Sequence, residues 1–189
     1  EARGGLGRYD GYHGTVYLPP VITNDLHIGT GGVGDNYIKS MLLGTDDDAV
    51  DYGFGDLHIL PDGIMQIASN PSLNGGLGGA SAISATNVTV DEGGSLNADG
   101  LGFTWSEGPG AGASSASHGG VGGGDDPGDT YGSIINPVNP GSGSNYNSYE
   151  RSGGGVVRLI VDNQLIINGE VSALDERNIG SSDNPGSGG

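Results

Sequence analysis

The chain has no cysteine among its 189 residues, and it has no long hydrophobic run. Without cysteine there is no disulfide, and a thiolate nucleophile or a cysteine-ligated zinc site is excluded. Since no apolar run approaches the ~18 residues that a membrane-spanning helix needs, we expect no membrane insertion. The chain starts at Glu1 rather than Met and carries no visible signal peptide, which favours a processed or excised segment.

Basic residues are also scarce. Six Lys and Arg side chains oppose 23 Asp and Glu side chains, so the formal net charge is −17. Between residues 40 and 150 there are fourteen acidic side chains and no basic one. Such a field repels phosphate, so nucleic acid and anionic membranes are poor partners, whereas divalent cations such as Ca²⁺ are favoured.

Hydrophobic residues form 33% of the chain, against 41 glycines and 9 prolines, which by itself favours low complexity or one thin core. A repeat decides between these. The tetrapeptide DLHI at 25–28 recurs at 56–59, and NVTV follows at 87–90, so the copies are 31 residues apart. Within each copy the apolar residues are two apart, the period of a strand with one buried face. Equivalent side chains are therefore expected to lie over one another in stacked units.

Turn pairs rich in Gly, Asp and Asn separate these apolar pairs, and a fourth unit is recognisable from Val157 to Ala173. Counted in this way, each unit has three short strands, and helix is nearly absent. The sequence therefore predicts an all-β fold, a short right-handed parallel β-helix (β-solenoid) of about four coils. An antiparallel β-sandwich is the alternative, although its strands have no reason to keep a fixed interval.

A long glycine-rich loop, residues 101–155, interrupts this pattern. Because it has more aromatic residues than flexible linkers do, we expect an ordered loop whose rings pack on the flank of the coils. These loop aromatics are Phe103, Trp105, Tyr131, Tyr146 and Tyr149. The solenoid domain is expected over 15–175, between an N-terminal arm (1–14) and a Gly/Ser-rich tail (176–189).

Four segments between Asn87 and Ala173 carry a resemblance to known proteins: NVTVDEGGSLNADG (87–100), GPGAG (108–112), TYGS (130–133) and GGGVVRL (153–159). They resemble a glycine-rich parallel β-helix module of large secreted or surface proteins, adhesin-like and fibril-forming, from bacteria and algae. The resemblance implies an extracellular or cell-surface location and a scaffold or adhesion role, with no catalytic residues to carry over. After Ala173 the chain departs from those proteins, which continue into another glycine-rich coil.

Parallel β-helices also include polysaccharide lyases, so an enzyme of that type is an alternative. Such chemistry needs clustered carboxylates beside a basic residue that stabilises developing negative charge. Among the six basic side chains, Arg158 alone lies in a predicted strand. We therefore predict that the protein is not an enzyme.

Two acidic clusters are candidate Ca²⁺ sites, because both lie in predicted turns where carboxylate and carbonyl oxygens converge. A solvated acidic turn is the alternative for each cluster. The candidate ligands are Asp46, Asp47, Asp48, Asp125, Asp126 and Asp129. Asn87 begins an Asn-Val-Thr sequon and is a candidate glycosylation site if the host glycosylates secreted proteins, although chance also explains a single sequon.

The ends of a short stack of strands expose unpaired edges, and the C-terminal unit (156–171) is among the most apolar parts of the chain. We therefore expect a structural subunit that joins other copies of itself head to tail into a filament or surface scaffold. The N-terminal arm concentrates positive charge and is expected to contact an acidic neighbour. Its candidate assembly residues are Arg3, Arg8, Tyr9 and Tyr12. The alternative is a carbohydrate-binding or adhesive module, in which Trp105 and Tyr131 stack on glycans.

Overall fold

The structure is a computed structural model that describes residues 25–29, 40–43, 51–133, 135–146 and 149–176. The described residues form short strands and one helical turn. In chain order these are β1 (Leu26–Ile28), β2 (Ser40–Leu43), β3 (Tyr52–Ile59), β4 (Ile64–Ile67), β5 (Ser69–Asn70), α1 (Leu73–Gly76), β6 (Gly79–Ala80), β7 (Ala82–Val90), β8 (Ser95–Asn97), β9 (Ser144–Tyr146), β10 (Tyr149–Arg151), β11 (Arg158–Ile167) and β12 (Glu170–Ser172).

Two four-stranded parallel sheets contain most of these strands. The strand order is β1-β3-β7-β11 in the first sheet and β2-β4-β8-β12 in the second. Leu26 pairs with Leu57 and Leu57 with Val88, so the 31-residue interval of the sequence is the register of the strands. Met65 pairs with Leu96 in the same way in the second sheet. The prediction that equivalent apolar residues lie over one another is confirmed at these positions.

The C-terminal strands complete both sheets at the same end. Leu165 of β11 pairs with Val88 of β7, and Val171 of β12 pairs with Leu96 of β8. The long insertion before β11 changes the sequence interval without changing the stacking. As a result, β1 and β2 lie at one end of the two sheets, and β11 and β12 lie at the other.

The predicted fold class is wrong, because the structure does not show a right-handed parallel β-helix. The described residues form the two parallel sheets and two antiparallel pairs, β5 with β6 and β9 with β10, without a closed solenoid. The repeat pattern predicts three strands per unit, yet the apolar pairs around Ala82 and Val88 belong to one strand, β7. Residues 85–87 between them contain neither glycine nor proline, so nothing interrupts the extended chain there. The pairs on either side of Asp162 likewise form one strand, β11, with an irregularity after Val161.

One hydrophobic core lies on the inner faces of the two parallel sheets. In β3 and β7 buried and less buried residues alternate, as a strand with one buried face requires. The members of the main core cluster that have no exposed surface are Ile28, Ile59, Met65, Ile67, Ile83, Val88, Val90 and Leu96. Leu57, at 1% exposure, belongs to the same cluster. Residues from β3, β4, β7 and β8 thus share a single core.

Tight turns connect the two sheets at equivalent places in successive units. Gly63 N donates to Leu60 O at 2.9 Å, and Asp62 between them has a φ of 69°. In the next unit Gly93 takes the corresponding left-handed conformation, with a φ of 84°. Gly94 follows it because a Cβ there would lie 2.9 Å from the carbonyl oxygens at the end of β3. The two turns lie next to each other in successive units, and Asp62 N donates to Gly93 O at 3.1 Å.

The glycine-rich insertion is held together by hydrogen bonds between backbone segments. Gly102 N donates to Gly153 O at 2.9 Å, Phe103 N to Gly141 O at 3.0 Å, and Gly141 N to Gly154 O at 2.7 Å. The segments approach so closely that a Cβ on Gly102 would lie 2.7 Å from Gly141 O. Glycine is required here because no side chain fits between the segments.

Candidate functional site at the open sheet edge

The outermost strands at the C-terminal end of the sheets present apolar side chains to solvent. Leu165 and Ile167 of β11 are 49% and 44% exposed, and Val171 of β12 is 40% exposed. We call these three side chains the apolar edge. Exposed apolar side chains that are contiguous, rather than scattered singly, mark interaction surfaces in soluble proteins.

The apolar edge occupies core positions of the fold. Its three residues pair with Val88, Val90 and Leu96, which are all 0% exposed. The edge residues differ from these because no further strand of the described chain covers them. Leu159 and Val161, at the other end of β11, pack partly against the same core. The apolar edge is therefore the exposed end of the hydrophobic core and not an ordinary solvated face of a sheet.

The backbone at this end is open as well. In the described part of the chain, β11 pairs with β7 alone and β12 pairs with β8 alone. The outer sides of both strands therefore present a row of N–H and C=O groups that are available for another strand. Arg158 and Glu170, at the starts of β11 and β12, are exposed charges beside this row.

A column of Asn and Asp side chains crosses the first sheet beside the apolar residues. Asn163 Nδ2 donates to Asn87 Oδ1 at 2.8 Å, and Asn87 Nδ2 donates to Asp56 Oδ1 at 2.6 Å. At the other end of the column, Asp56 N donates to Asp25 Oδ1 at 2.9 Å. We call these four residues the Asx ladder. Every hydrogen bond in it donates toward the β1 end of the sheet, so the ladder has a direction.

The loop aromatics Phe103 and Trp105 differ in exposure. Phe103 is buried at 4% exposure, and its ring lies against Gly78 and Gly108, whereas Trp105 is 40% exposed. Tyr146 and Tyr149 are backbone register partners of the antiparallel strands β9 and β10. Phe103 therefore contacts Gly78, outside the glycine-rich loop, although the coils that its ring was predicted to flank are not seen in the described residues.

Tyr131 belongs to a chain of hydrogen bonds inside the glycine-rich loop. Gly110 N donates to Ser142 Oγ at 2.9 Å, Ser142 Oγ to Tyr131 Oη at 2.8 Å, and Tyr131 Oη to the Pro140 carbonyl at 2.5 Å. Burial raises the pKa of Tyr131, and the hydrogen bond from Ser142 lowers it in part. The ring also meets His118 edge to face, with 4.7 Å between centroids. This tyrosine fixes the loop, and its stacking on glycans stays a prediction.

His118 lies at a shallow open pocket of about 350 Å³ next to Tyr131. Its Nε2 atom is buried and has no hydrogen-bond partner among the described residues. Burial lowers the pKa of His118 below its ordinary 6.5, and a hydrogen bond with the backbone of Asn139 partly opposes this shift. The neutral imidazole is therefore the form that the folded loop favours.

We expect acid to destabilise the loop through His118. In the unfolded chain the imidazole binds a proton at a pH near 6.5, while the folded chain binds it at lower pH. The free energy of unfolding should therefore be highest above that pH and fall as the pH drops toward the folded-state pKa. Titration of the His118 ring by NMR should give a midpoint below 6.5. A midpoint at or above 6.5 would contradict this assignment.

The remaining predicted sites are placed differently by the structure. Asp125, Asp126 and Asp129 are exposed, and no group of three or more His, Asp or Glu side chains that could hold a metal ion occurs in the described ranges. Calcium binding stays a prediction. The candidate ligands Asp46, Asp47 and Asp48 and the assembly residues Arg3, Arg8, Tyr9 and Tyr12 lie outside the described residues.

Asn87, the candidate glycosylation site, lies in the middle of the Asx ladder. Its Nδ2 atom, to which a glycan would be attached, donates to Asp56, and its Oδ1 atom accepts from Asn163. Glycosylation of the folded chain would therefore have to break the ladder. Whether the modification occurs stays a prediction.

The comparisons with known proteins give no family for the chain. No family model, curated protein or solved structure matches it. In the part of the chain that the structure describes, no helix is long and apolar enough to cross a membrane. The function therefore has to be argued from the open sheet edge itself.

Proposed function

We propose that the protein is an extracellular structural subunit that joins copies of itself head to tail by continuing both parallel sheets from one copy to the next. The observation that carries this proposal is the apolar edge, where core-facing side chains on β11 and β12 are 40–49% exposed. The extracellular location is supported by the sequence resemblance of residues 87–173 to secreted and surface modules.

A second copy fits this edge because the two ends of the sheets correspond. In a parallel sheet all strands run in one direction, so β1 of the next copy can lie on β11 without reversing the sheet. Leu26 and Ile28 of β1 have the spacing of Leu165 and Ile167 of β11, since both pairs align with Leu57–Ile59 and Val88–Val90 of the intervening strands. The strand β2 would meet β12 in the same contact, because it holds the corresponding place in the second sheet.

The two ends are unequal in the single chain. Ile28 at the β1 end is 0% exposed, whereas Ile167 at the β11 end is 44% exposed. In the proposed contact the exposed β11–β12 end is the accepting surface, and the β1–β2 end of the next copy adds its strands to it. A contact between two different surfaces continues as a filament when the rotation between successive copies does not close a ring.

One such contact is weak. Covering the apolar edge contributes about 1 kcal/mol for each of its three half-exposed side chains, and each new backbone hydrogen bond contributes about 1 kcal/mol. Association costs on the order of 4–15 kcal/mol, so the surplus is small. Assembly is therefore expected to depend steeply on protein concentration.

Sedimentation velocity over a concentration series, with electron microscopy of the same samples, tests the proposal. Head-to-tail joining predicts a monomer at low concentration and filaments without a fixed length at high concentration. A dimer that does not grow further would show a closed, two-fold contact and would reject the filament. Monomers at every concentration would reject self-assembly altogether.

A further inference from the structure

We infer that Asn163 determines the register of the copy-to-copy contact, and that it does so by accepting a hydrogen bond from Asp25 of the next copy. The inference rests on the proposed head-to-tail function and adds the polar contact that selects one alignment of the strands. It follows from the direction of the Asx ladder and from the two atoms left at its ends.

The acceptor end of the ladder is open. Asn87 shows how a ladder residue is used, because its Nδ2 atom donates toward the β1 end and its Oδ1 atom accepts from Asn163. Asn163 repeats the first half of this arrangement, since its Nδ2 atom donates to Asn87. Its Oδ1 atom accepts no hydrogen bond from the described residues. That oxygen is carried by an exposed residue at the irregularity of β11, next to the apolar edge.

The donor comes from the opposite end of the ladder. Within the chain, the backbone N–H of Asp56 donates to the side-chain oxygen of Asp25 one strand away. The backbone N–H of Asp25 makes no such bond to the described residues. In a head-to-tail contact it meets Asn163 Oδ1 of the preceding copy, and the ladder continues with its direction unchanged.

The hydrophobic contact alone excludes some alignments of the two strands but not all of them. A slip of one residue would turn Leu26 to the outer face and place His27 over the core, which costs apolar burial. A slip of two residues restores the alternation of the apolar side chains and is opposed by hydrogen bonding alone. The ladder removes that alternative, because a donor then no longer faces Asn163 Oδ1.

The substitution Asp25→Asn tests the ladder separately from the hydrophobic contact. The new Oδ1 atom still accepts from Asp56 N, and the new Nδ2 atom faces Asn163 of the preceding copy. One added hydrogen bond at the contact should lower the critical concentration for filament growth about fivefold. The matched control is Glu92→Gln, which removes the same charge from an exposed position in the turn between β7 and β8.

The substitution Asn163→Ala completes the experiment. In the Asn163→Ala background, Asp25→Asn should lower the critical concentration no more than Glu92→Gln does, because the partner oxygen of residue 25 is gone. Thermal unfolding of each variant checks that the monomer keeps its fold.

The possible outcomes are distinct. If the wild type forms filaments while Asp25→Asn and Glu92→Gln have the same critical concentration, the ladder inference is overturned and the proposed function stands. An improvement by Asp25→Asn that survives in Asn163→Ala would also overturn it. If neither the wild type nor Asp25→Asn assembles at any concentration, both the function and the inference fail.

Discussion

Leu165→Lys is expected to keep the protein monomeric at concentrations at which the wild type forms filaments. Leu165 is a core-facing residue of the apolar edge, with 49% of its surface exposed in the single chain. In the monomer the lysine reaches water with its ammonium group, so the fold is retained. In the filament the next copy would cover it, and burying an unpaired ammonium costs several kcal/mol. The critical concentration, measured by pelleting, should rise about a hundredfold or more.

Ile160→Lys is the matched control. Ile160 belongs to the same strand and is 42% exposed, but it alternates with the core-facing Leu159 and Val161 and so lies on the outer face of the sheet. A strand added to β11 leaves that face in water. We therefore expect the critical concentration of Ile160→Lys to be close to that of the wild type. Equal loss of assembly in the two variants would contradict a contact through the apolar edge.

The Leu165→Lys variant also distinguishes a head-to-tail contact from a two-fold pairing of apolar edges. A Leu165→Lys monomer has an intact β1–β2 end, so it should join the open end of a wild-type filament and stop growth there. Excess variant added to wild type should therefore shorten the filaments. If the contact were a two-fold pairing of apolar edges, the variant would not join and the wild type would be unaffected.

Gly153→Ala is expected to lower the free energy of unfolding by about 3 kcal/mol, because overpacking against rigid backbone is costly. A Cβ at this position would overlap the carbonyl group of Gly141 and lie 2.7 Å from Ser142 O. The carbonyl groups of Gly141 and Ser142 belong to the hydrogen-bonded backbone segments of the loop, so neither can move aside as the end of a side chain could. Denaturant unfolding of the purified monomer measures the effect.

Gly123→Ala provides the control for this change. Gly123 lies in the same glycine-rich loop, and a Cβ added to it would have no neighbouring atom within 4 Å. Its substitution should leave stability within about 0.5 kcal/mol of the wild type, as is usual for surface sites. Equal stability of Gly153→Ala and Gly123→Ala would show that the close backbone packing does not hold the loop together.

The register of the first sheet could be predicted from the sequence because the same tetrapeptide occurs in two neighbouring strands. A slip of one residue would turn every apolar side chain of a strand to the opposite face, so DLHI at 25–28 and at 56–59 fixes Leu26 on Leu57. The number of strands could not be predicted equally well. Short apolar pairs look alike whether they form separate strands or one continuous strand, as in β7.

The proposed contact surface could be predicted only in part from the sequence. The apolar character of residues 156–171 indicated an uncapped end, and Asp25, Asp56 and Asn87 share the first position of the repeated tetrapeptide. Asn163 could not be assigned to the same column, because it lies at the irregularity of β11, outside the 31-residue interval. The contact of His118 with Tyr131 had no signal at all, since glycine-rich segments have no periodicity that fixes their neighbours.

A disulfide cross-link between two copies tests the central claim most directly. His27, His58, Thr89 and Ile166 form one column across the first sheet, so His27 of the next copy should lie over Ile166. Neighbouring strands are about 4.8 Å apart, which suits a disulfide, and the chain has no cysteine of its own. Copies with His27→Cys and copies with Ile166→Cys should form a cross-linked dimer under oxidation only when they are mixed. Cross-linking of Ile166→Cys to itself, or assembly of the mixture without any cross-link, would contradict the head-to-tail continuation of the sheets.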